Sequence, residues 1–96
     1  MIDTGVVAVI RASASAELMS VIEALKKGGN LACALNASNE IAVEAFLAGR
    51  ISFLEISRIN ETVMQQTDFQ KIPSLDDYIA TDCDARSRAK MLVDFF

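Results

Sequence analysis

Residues 34–59, ALNASNEIAVEAFLAGRISFLEISRI, hold the pattern that decides the fold. From Leu35 to Ala48 the apolar residues Leu35, Ile41, Val43, Ala45, Phe46 and Leu47 run nearly all round a helix. A helix that is apolar on most sides belongs at the centre of a bundle. Asn36 is available as its cap, although the start could lie several residues earlier, and Gly49 ends it. Ser52-Phe53-Leu54-Glu55 then has the spacing of a capping box, with Ile51 and Ile56 placed as the hydrophobic staple. Two successive helices are the reading.

Toward the C-terminus, Ile56, Ile59 and Val63 continue a buried stripe flanked by Phe53 and Asn60. Gln65 to Ile72 reads as polar loop. Pro73 precedes Ser74-Leu75-Asp76-Asp77, a cap followed by acids in the first turn, where the helix dipole favours them. Leu75, Tyr78 and Ile79 form an apolar face on which Tyr78 is expected to pack. Thr81-Asp82-Cys83-Asp84 is a place where this helix could break and restart. Ala85, Ala89, Leu92, Val93 and Phe96 keep the helical period to the last residue.

Toward the N-terminus, Val6-Val7-Ala8-Val9-Ile10 is apolar on both faces, as a buried strand would be. Arg11 ends it, and Ser13 or Ser15 can cap a helix whose stripe is Leu18, Val21, Ile22 and Leu25. Lys26 and Lys27 suit the helix C-terminus, and Gly28-Gly29 stops it. The expected fold class is therefore mainly α: a four- to five-helix bundle with one N-terminal β-strand, residues 6–10. A single domain, 1–96, is expected, with a βα segment over 1–27 and a helical segment over 28–96. A lone strand leaves unpaired backbone on both edges, so strand pairing across a homodimer is expected.

The composition excludes several function classes. With a net charge of −4 and scattered basic residues, the chain lacks the basic face that nucleic acid requires. It has no histidine, the commonest general base and metal ligand. Cys33 and Cys83 match no zinc spacing and read as small buried hydrophobes. No apolar run approaches the roughly 20 residues of a membrane span, and no signal peptide is apparent, so a cytoplasmic location is expected.

Each candidate for chemistry has a plainer explanation. Glu40 and Glu44 share a helix face, but no second carboxylate pair or histidine faces them, so a solvated acidic edge is expected. Asp76, Asp77, Asp82 and Asp84 fit helix starts. Gly28-Gly29 follows a helix and lacks the surrounding pattern of a phosphate loop. Ser13 and Ser15 have no base nearby in sequence. The expectation is thus no catalytic, cofactor-binding or metal residues, no cofactor, no small-molecule substrate, and no autonomous enzyme activity.

Two resemblances add to this reading. Residues 5–29, through VVAVIRA, the serine-containing turn and EALKKGG, resemble the first strand and helix of 2-keto-3-deoxy-6-phosphogluconate aldolases. That family implies a (β/α)8 barrel of about 250 residues. Its Schiff-base lysine and the partnering glutamate come from later strands, with no counterpart here. Arg11 would stand at the strand end that faces such an active site. From about residue 28 onward, ALNASNEIAVEAFLAGRISFLEISRI and SLDDYIATDCDARSRAK resemble the C-terminal helical domain of 1-deoxy-D-xylulose 5-phosphate reductoisomerase. The resemblance implies that the NADPH-binding domain, the metal-holding acids and the substrate-phosphate contacts of such an enzyme precede this region. EALKKGG suits both families. The leading expectation is a recombined, chimeric folded domain without its own reaction. The alternative is a C-terminal fragment of a reductoisomerase, inactive without its NADPH-binding and catalytic domains.

Overall fold

The computed structural model describes residues 22–96 of the chain. Residues 22–26 are helical, and three longer helices follow: α1 (Leu31–Leu47), α2 (Phe53–Gln66) and α3 (Leu75–Phe95). The described residues contain helices and no strand. The expected class, helices plus one N-terminal strand, is therefore corrected to an all-helical architecture among the described residues. Each described helix meets its backbone hydrogen bonds internally, so it leaves no open sheet edge that calls for a partner. Residues 6–10, and with them the strand-paired dimer, lie outside the described residues, as do Arg11, Ser13, Ser15, Leu18 and Val21.

The cross-pairs define the topology. Asn30 meets Thr81, Glu40 meets Arg86 and Arg50 meets Asp94, so α1 and α3 run parallel. Ser38 meets Asn60, and Phe46 meets Phe53, so α1 and α2 run antiparallel. α1 packs on both other helices and is the central one, as its apolar periphery implies. Its buried residues include Leu31, Ala34, Leu35, Ala37, Ala42 and Ala45. Against them pack Ile56, Ile59 and Val63 of α2 and Ala85, Ala89 and Val93 of α3. Full burial of Leu35, Ile56, Ile59 and Val63 contributes roughly 1.5–3 kcal/mol each relative to exposure. A second cluster joins Leu31, Leu35 and Met64 to the half-buried Ala24 and Leu25.

The helix ends follow local chemistry. At Gly49 (φ +77°), the Arg50 N–H donates to Ala45 O at 2.9 Å and the Gly49 N–H to Phe46 O at 3.0 Å. That is a Schellman turn, which needs the left-handed backbone that glycine adopts without strain. The capping box at Ser52 forms as read: Glu55 N–H donates to Ser52 Oγ (3.3 Å), and Ser52 N–H donates to Glu55 Oε1 (2.7 Å). Its staple residues, Ile51 and Ile56, are both buried. Ser74 and Asp77 make a second box, at 2.9 and 3.1 Å, in which aspartate replaces the usual glutamate.

Three local points are decided. α1 begins at Leu31, the earlier of the two starts that the sequence leaves open, so Asn36 lies inside the helix. α2 continues to Gln66, so the loop expected from Gln65 begins at Thr67 instead. α3 is unbroken through Thr81-Asp82-Cys83-Asp84. These residues are poor helix formers singly, but Asp82 and Asp84 pair with Arg86 (2.9 Å) and Arg88 (2.8 Å) one turn on. Aspartate preceding arginine by four residues is the favourable order. Thr81 is buried and bonded to Asn30.

Replacing Ser52 with alanine removes the hydroxyl that accepts from Glu55 and is expected to cost about 1 kcal/mol. Thermal melts followed by circular dichroism should show this as a Tm lower by roughly 4–8 °C. The Ser52 backbone N–H, and then its side chain, hold the Glu55 carboxyl below the usual glutamate range. The stability this lends is present above the unfolded glutamate value of about 4.3 and is lost as pH falls through the folded value. Glu55→Gln keeps the geometry without the titration, so its Tm should fall less steeply than that of the natural chain below about pH 5.

Candidate functional site

The most highly connected polar group in the described residues is Asn30. It follows the two glycines that end the preceding helix, and Gly28 and Gly29 have φ of +74° and +64°. A Cβ on Gly29 would lie 2.2 Å from Gln70 O, so only glycine lets the two backbones approach this closely. Asn30 occupies the N-cap position of α1, yet its side chain makes no cap bond. It turns across the bundle instead. Its Nδ2 donates to Asp68 O (2.9 Å) and to Thr81 Oγ1 (2.8 Å), while Oδ1 accepts from Gln70 N–H (2.8 Å). Its backbone N–H donates to Gln70 O at 3.1 Å. The residue is wholly buried. One carboxamide thus binds the start of α1, the 67–74 connection and the first half of α3.

A second buried network lies between α1 and α2. Ser38 Oγ donates to Asn60 Oδ1 (2.8 Å), and Asn60 Nδ2 donates to Asn39 Oδ1 (3.0 Å). Both networks satisfy buried polar groups, so they fix helix register. Neither presents a nucleophile beside a base, and chemically they hold rather than react. Sequence reading missed Asn30, Ser38 and Asn39. The available signal was polar residues interrupting an apolar helix at Ser38 and Asn39, and an asparagine following two glycines.

The candidates named from sequence are spread apart or engaged structurally. Glu40 pairs with Arg86, which also holds Asp82, while Glu44 is exposed. Both flanking carboxylates raise the affinity of Arg86 for its proton. Asp77 belongs to its capping box and Asp84 to Arg88. No group of three or more carboxylate or thiol donors converges among the described residues. Cys33 is half-buried and its Sγ lies 3.5 Å from Tyr78 O, whereas Cys83 is exposed, which corrects the expectation that both are buried. Burial, and secondarily the Asp82 carboxylate, push the Cys33 thiol up, with Arg86 opposing. Leu75, Tyr78 and Ile79 do not pack as an inward face and are exposed.

A cleft of about 510 Å³ has Ala24, Leu31, Met64 and Phe69 in its wall and Lys27 and Glu61 beside them. No described helix is long and apolar enough to cross a membrane.

These features define an all-helical packing module whose organised polar groups hold helices together. Comparison with known proteins gives it a family. Residues 15–88 match the model of the DXP reductoisomerase C-terminal domain, and the chain belongs to that family. The chain is 51% identical over 72 residues to 1-deoxy-D-xylulose 5-phosphate reductoisomerase of Nitrosomonas eutropha, covering 75% of the chain and 17% of the relative. It is 46% identical over 71 residues to the Bacteroides fragilis enzyme, covering 74% and 18%. For Aeromonas salmonicida the figures are 46% over 77 residues, 80% and 19%. The chain therefore spans less than a fifth of the length of the curated relatives it matches. No solved structure matches it significantly. The match begins at residue 15, inside the segment read as aldolase-like, so the expected junction near residue 28 is not where the family likeness starts. These matches do not show the aldolase likeness of residues 5–29.

Exposure separates the two thiols. Limited alkylation with iodoacetamide at neutral pH, read by peptide mass, should label Cys83 well before Cys33 in the folded chain, and at similar rates after unfolding.

Proposed function

We propose that the chain is the C-terminal helical domain of a 1-deoxy-D-xylulose 5-phosphate reductoisomerase, an enzyme of isoprenoid biosynthesis. It contributes packing surface to that enzyme and no reacting group. The observation that carries this reading is the extent of the match: residues 15–88 of the chain, but only 17–19% of whole relatives. The family likeness across that range favours a reductoisomerase piece over an artificial recombined protein. The groups that would bind NADPH, divalent metal and the substrate phosphate belong to the portion of the relatives outside the match, as the family resemblance implies. Function resides in such sites rather than in a fold.

The test has two arms. The purified 96-residue chain, assayed with deoxyxylulose phosphate, NADPH and magnesium, should show no turnover. A hybrid in which this chain replaces the matched 72 residues of the Nitrosomonas eutropha enzyme should turn over the same substrate. Turnover by the chain alone, or an inactive hybrid, would contradict the proposal.

A further inference from the structure

The apolar side chains that the bundle leaves open gather mainly at one end. α1 and α3 run parallel and α2 antiparallel, so the end of α1, the start of α2 and the end of α3 lie together. The Phe46–Phe53 ring contact and the Arg50–Asp94 pair tie them there. Leu47, Phe53, Leu54, Met91, Phe95 and Phe96 occupy that end at exposures of 38–89%. Taking about 150–250 Å² for a fully exposed side chain of this size, they offer on the order of 700 Å² per chain. The largest apolar patch of an ordinary monomer is about 300–600 Å². A standard protein–protein interface takes about 800 Å² from each partner.

We propose that this end is a two-fold interface with a second copy of the chain. Area is the first reason: two such ends would bury on the order of 1,400 Å², within the range of a stable dimer. Charge is the second. Three acids at this end, Glu44, Glu55 and Asp94, are matched by three bases, Arg50, Arg58 and Lys90, so its formal charge is zero while the whole chain carries −4. Two copies therefore repel over the rest of their surface and can meet here without that cost. A two-fold axis sets the same patch against itself, and an apolar centre with a balanced charged rim satisfies that demand. Met91, Phe95 and Phe96 also lie past residue 88, where the family match ends, so the family likeness does not supply the occupant.

The test is the mass of the chain in solution. Sedimentation equilibrium at about 100 µM, above the micromolar-to-picomolar dissociation constants of interfaces near 1,600 Å², should give twice the chain mass of 10.4 kDa. Leu54→Lys with Phe95→Lys puts charge into the patch on two side chains that already face solvent. That pair should restore the 10.4 kDa species with the helical circular dichroism unchanged. Met91→Lys alone should raise the dimer dissociation constant by at least about tenfold, which keeps the test decisive where the pair unfolds. Leu75→Lys with Ile79→Lys, at the opposite end of α3, should leave the dimer intact. A monomer at that concentration would overturn the proposal, and so would a dimer indifferent to all three lysines of this end. A dimer dissolved only by the Leu75 and Ile79 pair, or only by Val7→Lys in the segment expected to pair as a strand, would place the contact elsewhere and overturn it too. A monomeric chain beside a hybrid enzyme whose Tm falls with the Leu54 and Phe95 pair would give this end to the attached polypeptide instead, again against the proposal.

Discussion

A single buried carboxamide connects most of the described fold. Asn30 spends both of its N–H groups and its oxygen on two distant segments: Asp68 and Gln70 of the 67–74 connection, and Thr81 of α3. A net contribution of about 1 kcal/mol per bond is ordinary. The larger effect is the penalty for losing it, since removal would strand the buried Thr81 hydroxyl at about 1–3 kcal/mol. The position is possible because Gly29 has no Cβ to strike Gln70 O. Two adjacent residues thereby dictate where the 67–74 connection runs and at what height α3 begins beside α1.

Given that anchor, small side chains set the spacing between α1 and α3. Ala34, Ala37, Ala42 and Ala45 face a core that includes Ala85 and Ala89, so the helix axes can approach closely and gain dispersion over many atoms. α2 closes the other side with larger residues, Ile56, Ile59 and Val63. The surface pairs Arg50–Asp94 and Arg86–Glu40 decorate this arrangement. They are well exposed, and exposed pairs contribute little. Register instead comes from the buried Ser38–Asn60–Asn39 and Asn30 networks.

Sequence periodicity made the helices legible, most sharply α2 and α3, because each of those two carries its own start signal. Ser52 and Glu55 are local chemistry, readable four residues at a time, and the structure keeps them. Gly49 and Gly28-Gly29 likewise stop helices where a left-handed residue is needed. The failures were all non-local. Asn30 went unread because its partners lie 38 to 51 residues away. Leu75, Tyr78 and Ile79 read as a core face because periodicity shows that a face is apolar without showing what covers it. Helix α3 survives its awkward middle through bonds to Arg86, Arg88 and Asn30 that no propensity scale contains. The structural centre of the candidate site, Asn30, was not legible at all.

The account rests on Asn30 holding the 67–74 connection, and the Gln70 amide reports on that directly. Its N–H donates to a buried Asn30 oxygen although it lies in a loop. Native-state hydrogen exchange should find this amide protected nearly as strongly as the core amides of α1, opening only with global unfolding. Exchange of the Gln70 amide at the rate of an unprotected loop residue would contradict the account.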